Sequence, residues 1–572
     1  MKNQLVARIL NEIADMLEMQ GVEFKPRAYR RAARTIESLA EPIEQVYAQG
    51  KLMELPGVGE AIAKKVAEIV ETGSLKYYEE LKEEIPVDLE GLLAVEGVGP
   101  KTVGLLYRKL GVKSLEDLEG AAKQHRIREI KTLGPKSEEN ILNGIELAKQ
   151  SKGRTLLGDA LPIADEICER LRDVMRTAAE TGRVEAAGSL RRMKETVGDI
   201  DVLATTKKPA ELSEQFTRIP AIRKILEKGE TKSSVLLESN VQVDLRVVDE
   251  ESFGSALMYF TGSKDHNIAL RKLAIDRGYK LNEYGLFKGN TQVAGRTEED
   301  VYKRLGLDYI PPELREDRGE VDAALNHQLP DLIPYNAILG DLQVHTQWSD
   351  GQQTIEEMAQ AAKKLGYEYI AITDHYSKIP IVNGLNEQRL RAQMKEIDQL
   401  NEKLQGIQVL KGAEVDIGND GTLSGGTVLK ELDIVVASIH ATFKQSKNEM
   451  TRRLISAMES GLADIIGHPT SRKINEKNPS EVDFDELFEA SKRTGTHLEI
   501  NASPQRLDLN DATVDLALKS GCTLAIDTDA HNREQLKNIK FGIAVARRAW
   551  AQKKDVINTQ SLEQLKRTLK RG

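Results

Sequence analysis

The stretch GSLRRMKETVGDID, residues 188–201, carries the most specific pattern in this sequence. It ends in two aspartates, Asp199 and Asp201, which point to the same side of a β-strand because neighbouring side chains alternate. A second run, Val241–Val247, alternates apolar and polar residues and puts Asp244 on its polar face. If the two strands pair, three carboxylates converge. Their mutual repulsion predicts a pair of divalent cations, Mg²⁺ or Mn²⁺, between them.

The front of the same stretch predicts a phosphate-binding turn. Gly188 and Ser189 let the backbone approach a ligand closely and can open a helix, whose N-terminus attracts anions. Arg191 and Arg192 follow within that first turn. A surface turn before an edge strand would explain the paired aspartates alone, but the glycine and the third aspartate, Asp244, favour a functional site.

Composition predicts several domains in a cytoplasmic protein. A chain of 572 residues exceeds what one hydrophobic core serves. No apolar run approaches the ~18–20 residues of a membrane span, and the first residues have the pattern of a helix rather than of a signal peptide. Cys168 and Cys522 lie far apart, which fits a reducing compartment. The net charge of -9 means that any DNA contact must be a local basic surface.

The N-terminal part is predicted to be helical and to contact DNA. The turn Leu55–Gly59 recurs as Val95–Gly99 and, with Thr132 in place of the first glycine, as Ile130–Gly134. Such turns expose backbone N–H groups that hold a phosphate without reading base sequence, although a single copy could be an ordinary helix C-cap. The glycines of the two complete copies are Gly57, Gly59, Gly97 and Gly99. Four arginines share one helix face, which favours phosphate contact over a merely solvated face: Arg27, Arg30, Arg31 and Arg34.

From Ile338 onward, short apolar runs alternate with amphipathic helical stretches, which predicts an α/β barrel. Six of the nine histidines fall in these last 235 residues, and five of the six follow predicted strands. His497 begins a strand and is predicted to be structural. A mixed set of histidines and carboxylates suits Mn²⁺, Zn²⁺ or Fe. The runs are 338–344, 369–373, 408–413, 433–439, 464–466, 497–500 and 523–526. The predicted ligands at or past their ends are His345, His375, Glu414, His440, His468, Asp529 and His531.

Two resemblances join these observations. The motif G-S-x-R-R…G-D-x-D with its third aspartate, followed by Tyr259–Ser263 and Asn282–Tyr284, resembles the nucleotidyltransferase palm of family X DNA polymerases, the DNA polymerase beta group. The repeated turns look like helix-hairpin-helix motifs. The C-terminal motifs W-S-D-G at 348–351, T-D-H at 373–375, G-H-P at 467–469 and D-A-H at 529–531 resemble the PHP (polymerase and histidinol phosphatase) domain. Together they are similar to bacterial family X polymerases that carry a PHP domain.

The polymerase resemblance implies roles for further residues. Gly188, Ser189, Arg192 and Arg154 would bind the triphosphate, and Arg271 would lie near the template. In the family the first hairpin grips the strand downstream of a gap and the second grips the primer. Lys65 matches a lysine that acts in some members as a 5′-deoxyribose-phosphate lyase, and a plain phosphate contact remains the alternative. The positions implied to lie against the sugar and base of the incoming nucleotide are Tyr259, Phe260, Gly262 and Asn267.

The PHP resemblance implies a metal cluster that hydrolyses phosphate esters. Asp350 joins the seven predicted ligands, and the implied activity is that of a Mn²⁺-favouring 3′→5′ exonuclease, with phosphatase or abasic-site nuclease activity in some members. The family's first motif is H-x-H, whereas this chain has Gln343-Val344-His345. Because an amide oxygen is a weak, neutral ligand, Gln343 predicts that one metal is weakened or lost, and with it the nuclease.

We therefore expect a multidomain fold: an α-helical helix-hairpin-helix N-terminal region, an α+β nucleotidyltransferase palm and a C-terminal distorted (β/α)7 barrel. The predicted function is filling of short gaps in DNA during base excision repair by a monomer that uses dNTPs and gapped or primed DNA. The alternatives are another nucleotidyltransferase with an appended phosphatase and an inactive DNA-binding scaffold. The predicted boundaries are 1–85 and 86–150 for the two helical DNA-binding regions, 151–250 for the palm, 251–312 for nucleotide selection, 313–336 for a linker and 337–572 for the PHP domain.

Overall fold

The computed structural model describes residues 2–37, 39, 42–85, 87–95, 97–151, 154–179, 181–377, 379 and 382–569. The chain divides into two compact units, residues 1–152 with 475–478, and residues 153–474 with 479–572. Each unit has hydrophobic cores of its own. Within the described ranges, no helix has both the length and the apolar character needed to cross a membrane.

Helices joined by turns build the first unit over the described part of residues 2–151. Amphipathic helices build it: Val6, Leu10, Ile13 and Leu17 recur at helical spacing and are all buried in its core. This confirms the predicted helical N-terminal region. The helices are α1 (Lys2–Met19), α2 (Lys25–Glu37), α3 (Ile43–Ala48), α4 (Glu60–Thr72), α5 (Lys76–Glu84), α6 (Leu89–Leu93), α7 (Pro100–Leu110), α8 (Leu115–Lys123) and α9 (Pro135–Ser151).

The palm is built around a five-stranded sheet of order β2-β4-β7-β6-β5. As the alternating pattern predicted, Asp199 is exposed at the start of β4 whereas Ile200 and Val202 are buried beneath the sheet. Strands β4 and β7 run parallel, while the other pairings are antiparallel. The elements are β1 (Thr155–Leu156), α10 (Leu157–Thr177), β2 (Val184–Ala186), α11 (Gly188–Arg191), β3 (Thr196–Val197), β4 (Asp199–Ala204), α12 (Pro209–Phe216), β5 (Ile222–Lys228), β6 (Lys232–Leu237) and β7 (Gln242–Val247).

Residues 251–336 form helices around a small antiparallel sheet, and here one expectation was wrong. The segment 313–336 does not behave as a linker: it contains a helix, and Arg315 and Glu320 in it are fully buried. Arg315 pairs with Glu298 and Glu320 with His266, so both buried side chains have charged or polar partners within the protein. The elements are α13 (Phe253–Thr261), α14 (Lys264–Asp276), β8 (Lys280–Asn282), β9 (Gly285–Lys288), β10 (Thr291–Ala294), α15 (Glu298–Arg304) and α16 (Glu320–Leu325).

The C-terminal part is the predicted barrel of parallel strands. All seven predicted apolar runs form strands, in the order β11-β12-β14-β15-β16-β17-β18, and a bridge between Val344 and Ala530 connects the first edge to the segment after the last strand. The fold class expected from the sequence is therefore confirmed. The elements are β11 (Gly340–Val344), α17 (Ile355–Lys364), β12 (Tyr369–Ile372), β13 (His375–Tyr376), α18 (Glu387–Asn401), β14 (Gln408–Asp416), β15 (Ile434–Ser438), α19 (Lys447–Glu459), β16 (Ile465–Ile466), α20 (Phe484–Thr494), β17 (His497–Asn501), α21 (Asp511–Lys519), β18 (Leu524–Asp527), α22 (Ile539–Arg548) and α23 (Leu562–Thr568).

Candidate active sites

The palm brings the three predicted aspartates together. Strand β4 carries Asp199 and, two residues later, Asp201. Its parallel pairing with β7 places Asp201 directly opposite Asp244. One carboxylate oxygen of each residue lies within 4.8 Å of the other two. Gln242 donates its side-chain amide to Asp244 at 2.9 Å and fixes that carboxylate. The three side chains therefore offer converging oxygen ligands at the start of two adjacent strands.

The electrostatics of this cluster favour a bound cation. The pKa of Asp201 is raised to about 7, first by burial and then by the negative charges of Asp199 and Asp244, while Arg246 and Arg192 act against the rise. A divalent cation beside Asp201 would offset both the burial of its negative charge and the repulsion from Asp199 and Asp244. Oxygen ligands at this spacing fit hard cations such as Mg²⁺ or Mn²⁺.

The turn before β4 fits closely around the aspartates. Gly188 has φ +66, and a Cβ atom on it would lie 2.7 Å from Asp201 Oδ2, so this position requires glycine for both conformation and space. The backbone N–H of Ala187 donates to the carbonyl of Asp201 at 2.8 Å, and that of Lys194 donates to the carbonyl of Ser189 at 3.0 Å. We call residues 188–195 the phosphate turn from here on.

The two arginines of the phosphate turn diverge. Arg191 extends to Glu298 at 2.7 Å, and Glu298 also pairs with the fully buried Arg315. Arg191 is therefore committed to a structural ion-pair network. Arg192 instead donates to the carbonyl of Thr261 at 2.5 Å and to Glu316 at 3.0 Å. Of the pair, Arg192 remains beside the aspartates.

The predicted nucleotide-selection residues lie at the end of α13 and the start of α14, next to the palm sheet. The guanidinium of Arg246, on the same strand as Asp244, lies 4.4 Å from the ring centre of Phe260. Tyr259 is partly exposed, and Asn267 donates its amide to the carbonyl of Tyr259 at 2.7 Å. These aromatic side chains therefore border the face that carries the aspartates.

Three other predicted residues also lie near this site. Arg271 donates to the carbonyl of Asn267 at 3.2 Å, one helical turn along α14. Gly262 follows α13, and a Cβ atom there would lie 3.3 Å from Arg192 Nη1. Arg154 donates to the side-chain and main-chain oxygens of Thr196, at 2.9 and 2.6 Å, in the strand before Asp199.

The N-terminal unit contains the predicted hairpin turns. Gly57 and Gly97 have φ near +80 to +90, and Gly59 and Gly99 are the N-caps of α4 and α7. Each turn closes by a hydrogen bond across three residues, at 3.0 Å in both copies. The weaker third copy closes in the same way, from Leu133 to Ile130 at 2.7 Å. Glu96, within the second copy, lies outside the described residues.

Two basic residues that the sequence predicted to be functional, Arg30 and Lys65, contact neighbouring side chains in this unit. Arg30, one of the four arginines expected on a single phosphate-contacting face, pairs with Asp15 at 2.7 Å and with Glu18 at 2.6 Å. Both carboxylates come from α1, so Arg30 has partners within the protein, and phosphate contact by this face stays a prediction. The ammonium of Lys65 lies 4.6 Å from the ring centre of Tyr77, on α5.

At the C-terminal end of the barrel strands, Glu414 is the centre of a second cluster. Its Oε2 atom lies 2.9 Å from His375 Nδ1 and 3.6 Å from His345 Nε2. Its Oε1 atom lies 3.2 Å from His440 Nε2 and 3.1 Å from His468 Nε2. One buried carboxylate thus faces four histidines, as expected where parallel strands end at the same edge.

Asp350 and Asp529 complete the cluster on its outer side. Asp350 Oδ1 lies 3.5 Å from His531 Nε2 and 3.6 Å from His375 Nε2. Asp529 Oδ1 lies 3.2 Å from His345 Nε2. All eight residues predicted from the sequence as ligands are therefore brought together.

Charge balance in this cluster also suits metal ions. Burial lowers the pKa of His440, but Glu414 and Asp416 outweigh that effect and raise it to about 10. The pKa of Glu414 is held well below its ordinary value because His440 and His375 outweigh the effect of its burial. Asp350 and Asp529 raise the pKa of His531 to about 9 against its burial. The carboxylates thus attract the positive charge that divalent cations would supply.

Gln343 occupies the position where the resemblance expects histidine. It is fully buried in β11, and within the described residues neither its amide nitrogen nor its amide oxygen has a hydrogen-bond partner. A Cβ atom on Gly467, next to His468, would lie 3.4 Å from the amide oxygen of Gln343. Its side chain therefore reaches toward the cluster without completing it.

Sequence reasoning assigned no role to two carboxylates that position the ligands. Asp374 accepts hydrogen bonds from the backbone N–H of Thr346 at 2.8 Å and of Ser349 at 3.1 Å, which fixes the loop that carries Asp350. Asp416 lies 2.9 Å from His440 Nδ1. Its spacing of two residues from Glu414 on one strand is a signal that could have identified it.

Comparison with known proteins agrees with this geometry. Family models match at residues 1–75 (helix-hairpin-helix domain), 89–146 (SAM-like helix-hairpin-helix tandem), 256–316 (DNA polymerase beta thumb) and 341–503 (PHP domain). The chain is 40% identical over 573 residues to the DNA polymerase/3′-5′ exonuclease PolX of Bacillus subtilis (strain 168), covering 99% of each chain. It is 29% identical over 350 residues to DNA polymerase lambda of Rattus norvegicus, covering 55% of this chain and 56% of that one. A probable phosphatase from Thermoanaerobacter sp. (strain X514) is 31% identical over 220 residues, which are 36% of this chain and 84% of that protein.

Fold and sites together define a nucleotidyltransferase joined to a metal-dependent phosphoesterase-type barrel. More particularly, the chain belongs to the family X DNA polymerases that carry a PHP domain. Membership implies dependence on divalent metal ions and the use of DNA and deoxynucleoside triphosphates as substrates.

Proposed function

We propose that this protein fills short gaps in DNA during base excision repair. The observation that carries the proposal is the convergence of Asp199, Asp201 and Asp244 beside the phosphate turn. The hairpin turns of the N-terminal unit support it, because a nucleotidyltransferase for a small acceptor needs no grip on duplex DNA. The proposal places the protein in the cytoplasm as a monomer that acts on gapped or primed DNA.

In the proposed reaction, the three aspartates hold Mg²⁺ or Mn²⁺. Ions held there would compensate the charge of the triphosphate and lower the pKa of the primer 3′-hydroxyl, which attacks the α-phosphate in line with release of pyrophosphate. The triphosphate binds to Gly188 and Ser189 through hydrogen-bond donors and to Arg192 and Arg154, whose positive charges compensate those of its oxygens. Tyr259, Phe260, Gly262 and Asn267 border the sugar and base, where an aromatic ring leaves no room for a 2′-hydroxyl.

The helical unit holds the DNA in this proposal. Gly57 and Gly59 contact the strand downstream of the gap through backbone N–H groups, and Gly97 and Gly99 contact the primer strand. Arg271 lies near the template. Lys65 is proposed as a 5′-deoxyribose-phosphate lyase nucleophile. The domain boundaries expected from the sequence stand as part of the same proposal, except that 313–336 packs into the second unit.

The barrel is proposed as a Mn²⁺-dependent 3′→5′ exonuclease or phosphoesterase that Gln343 weakens or disables. The eight converging ligands fit Mn²⁺, Zn²⁺ or Fe, and such ions would activate water for attack on a phosphate ester. The proposed ligands are His345, Asp350, His375, Glu414, His440, His468, Asp529 and His531.

One experiment with two opposite variants tests both assignments. A gapped duplex with a labelled primer is incubated with Mg²⁺ or Mn²⁺, with and without dNTPs. The double variant Asp199→Ala/Asp201→Ala should lose extension by more than about 1,000-fold and keep any shortening of the primer. His375→Ala should keep primer extension and lose any shortening of the primer. Extension by the double variant would remove the palm assignment, and primer extension by no form of the protein would remove the proposed function.

A further inference from the structure

The phosphate turn is held from outside the palm, by two arginines of the barrel. Arg548, the last residue of α22, donates Nη1 to the main-chain carbonyl of Arg192 at 2.7 Å. Arg472, in the loop after His468, pairs with Glu195 at 2.7 Å. Both ends of the segment 192–195 are therefore tied to the barrel, four residues before Asp199 at the start of β4.

Arg548 and the side chain of Arg192 also share a carboxylate partner, Glu316. Glu316 Oε1 accepts from Arg192 Nε at 3.0 Å and from Arg548 Nη1 at 3.1 Å. The side chain of Arg548 is 2% exposed, and those of Arg192 and Glu316 are 13% and 15% exposed. Because little water competes at this depth, these hydrogen bonds fix the guanidinium of Arg192 far more firmly than surface pairs would.

Several charged groups surround Arg548 on the barrel side of the turn. Arg548 pairs with Asp511 at 2.8 Å, and Arg318 pairs with the same carboxylate at 3.2 Å. Lys194 lies within the electrostatic range of Arg548, Glu316 and Asp511. On the barrel side of the turn, the carboxylates of Asp511 and Glu316 thus interact with four cations: Arg548, Arg318, Lys194 and Arg192. These cations lie next to the turn where the phosphates of a nucleotide are proposed to bind.

We propose that Arg548 is a positioning residue of the polymerase site: it orients Arg192 toward the nucleotide phosphates, with Arg472 as a second tie through Glu195. This rests on the proposed function. The barrel then contributes to nucleotide binding whether or not its own metal cluster is active. A chain with Gln343 in place of a ligand would still need the barrel for synthesis.

The adjacent arginine provides a matched control. Arg547 pairs with Glu313 at 2.7 Å and donates to the carbonyl of Ile333 at 2.8 Å, and its side chain is 15% exposed. It lies on the same helix as Arg548 and has a similar kind of partners, but its hydrogen bonds go to residues outside the phosphate turn.

The test compares Arg548→Gln, Arg548→Lys and Arg547→Gln with the unchanged protein. Arg548→Gln should raise the KM for dNTP by about tenfold with kcat changed less than about threefold, the size expected for one charge-assisted hydrogen bond. Arg548→Lys should recover part of the loss, and Arg547→Gln should match the unchanged protein. The Kd for dNTP on a primer that ends in a dideoxynucleotide should follow KM, since no chemistry occurs in that complex.

The outcomes separate the two proposals. If the unchanged protein extends the primer and Arg548→Gln keeps both its KM and its Kd, the positioning role is overturned. If the unchanged protein binds dNTP without extending any primer, the proposed function fails, and the Kd comparison alone decides the role of Arg548. If Arg548→Gln does not fold, Glu195→Gln takes its place, because Glu195 is 37% exposed. It should raise KM about threefold, and an unchanged KM would overturn the inference.

Discussion

Glu298 forms ion pairs that connect Arg191, at the end of α11, with Arg315, which lies beyond the palm. Its carboxylate pairs with Arg191 at 2.7 Å and with the fully buried Arg315 at 2.6 Å. Burial would raise the pKa of Glu298, but these two guanidinium groups outweigh it and lower the pKa from 4.5 to about 2. The shift corresponds to roughly 3 kcal/mol of stability. That contribution is complete above about pH 4.5 and is lost as the pH falls toward 2.

Replacement of Glu298 should therefore destabilise the protein in a pH-dependent way. Glu298→Gln is expected to lower the apparent melting temperature by several degrees at pH 7, because Arg315 and Arg191 are left without their buried charge partner. The difference from the unchanged protein should shrink between pH 4.5 and pH 3. Glu299→Gln, at an exposed neighbouring position, is the control. A difference of the same size at every pH would contradict the assigned pairing.

Gln343 should limit the metal content of the barrel. The variant Gln343→His places an imidazole where an unsatisfied amide now faces the cluster, so we expect about one more Mn²⁺ to be retained per chain and Mn²⁺-dependent shortening of a primer to rise about tenfold or more. Metal content after dialysis and primer shortening are measured together. Gln343→Leu, of similar volume but without a ligand atom, separates packing from ligation. Equal metal content in the unchanged protein, Gln343→His and Gln343→Leu would show that residue 343 does not limit metal binding by the barrel.

At the scale of elements, the hairpin turns give a prediction that leaves folding intact. Gly59 and Gly99 have φ of -83 and -85, and a Cβ atom on either would meet no atom within 4 Å. The double variant Gly59→Val/Gly99→Val should therefore fold normally while its side chains obstruct the approach of a DNA phosphate. We expect its Kd for gapped duplex to rise about tenfold.

Gly120, within α8 and also free of atoms within 4 Å, provides the comparison. Gly120→Ala should leave DNA binding unchanged and stabilise the helix by roughly 0.5–1 kcal/mol. Binding is measured at several salt concentrations, because phosphate contacts weaken as salt rises. If the double valine variant binds gapped DNA as well as the Gly120→Ala protein does, the turns are not the grip.

Local patterns predicted the elements well where burial alternates with a fixed period. The alternation around Asp199 and Asp244 gave both strands and their shared face, and the ends of parallel strands gave the histidine cluster, because such ends meet at one edge. The same reasoning failed for charged side chains with distant partners. Arg30 pairs with Asp15 on another helix, and Arg315 makes a proline-flanked segment part of the core by pairing with Glu298. The periodic pattern of apolar residues in a segment carries no information about ion pairs with residues far away in the sequence.

At the scale of the whole molecule, sequence reasoning separated two domains that share one core. Apolar residues of the palm, such as Leu157 and Ala160, belong to the same buried cluster as Phe541 and Leu507 of the barrel. A Cβ atom on Gly158 of α10 would lie 2.4 Å from Pro504, so helix and barrel loop are in direct contact. Such contacts depend on the complementary shapes of the two packed surfaces, whereas the sequence motifs specify only the residues of each site. The core of the N-terminal unit, by contrast, is drawn from residues 6–148 alone.

Truncation should reveal this difference in how the parts depend on one another. Residues 154–572 keep their cores and the ties of Arg472 and Arg548, so this fragment should melt within about 5 °C of the complete chain while its Kd for gapped DNA rises about tenfold or more. Residues 1–336 lose the barrel side of the shared core and should aggregate or melt far earlier in the palm. Melting and limited proteolysis of both fragments check this. A soluble 1–336 fragment with an unchanged palm and an unchanged KM for dNTP would mean that the barrel is an appended domain rather than part of the polymerase.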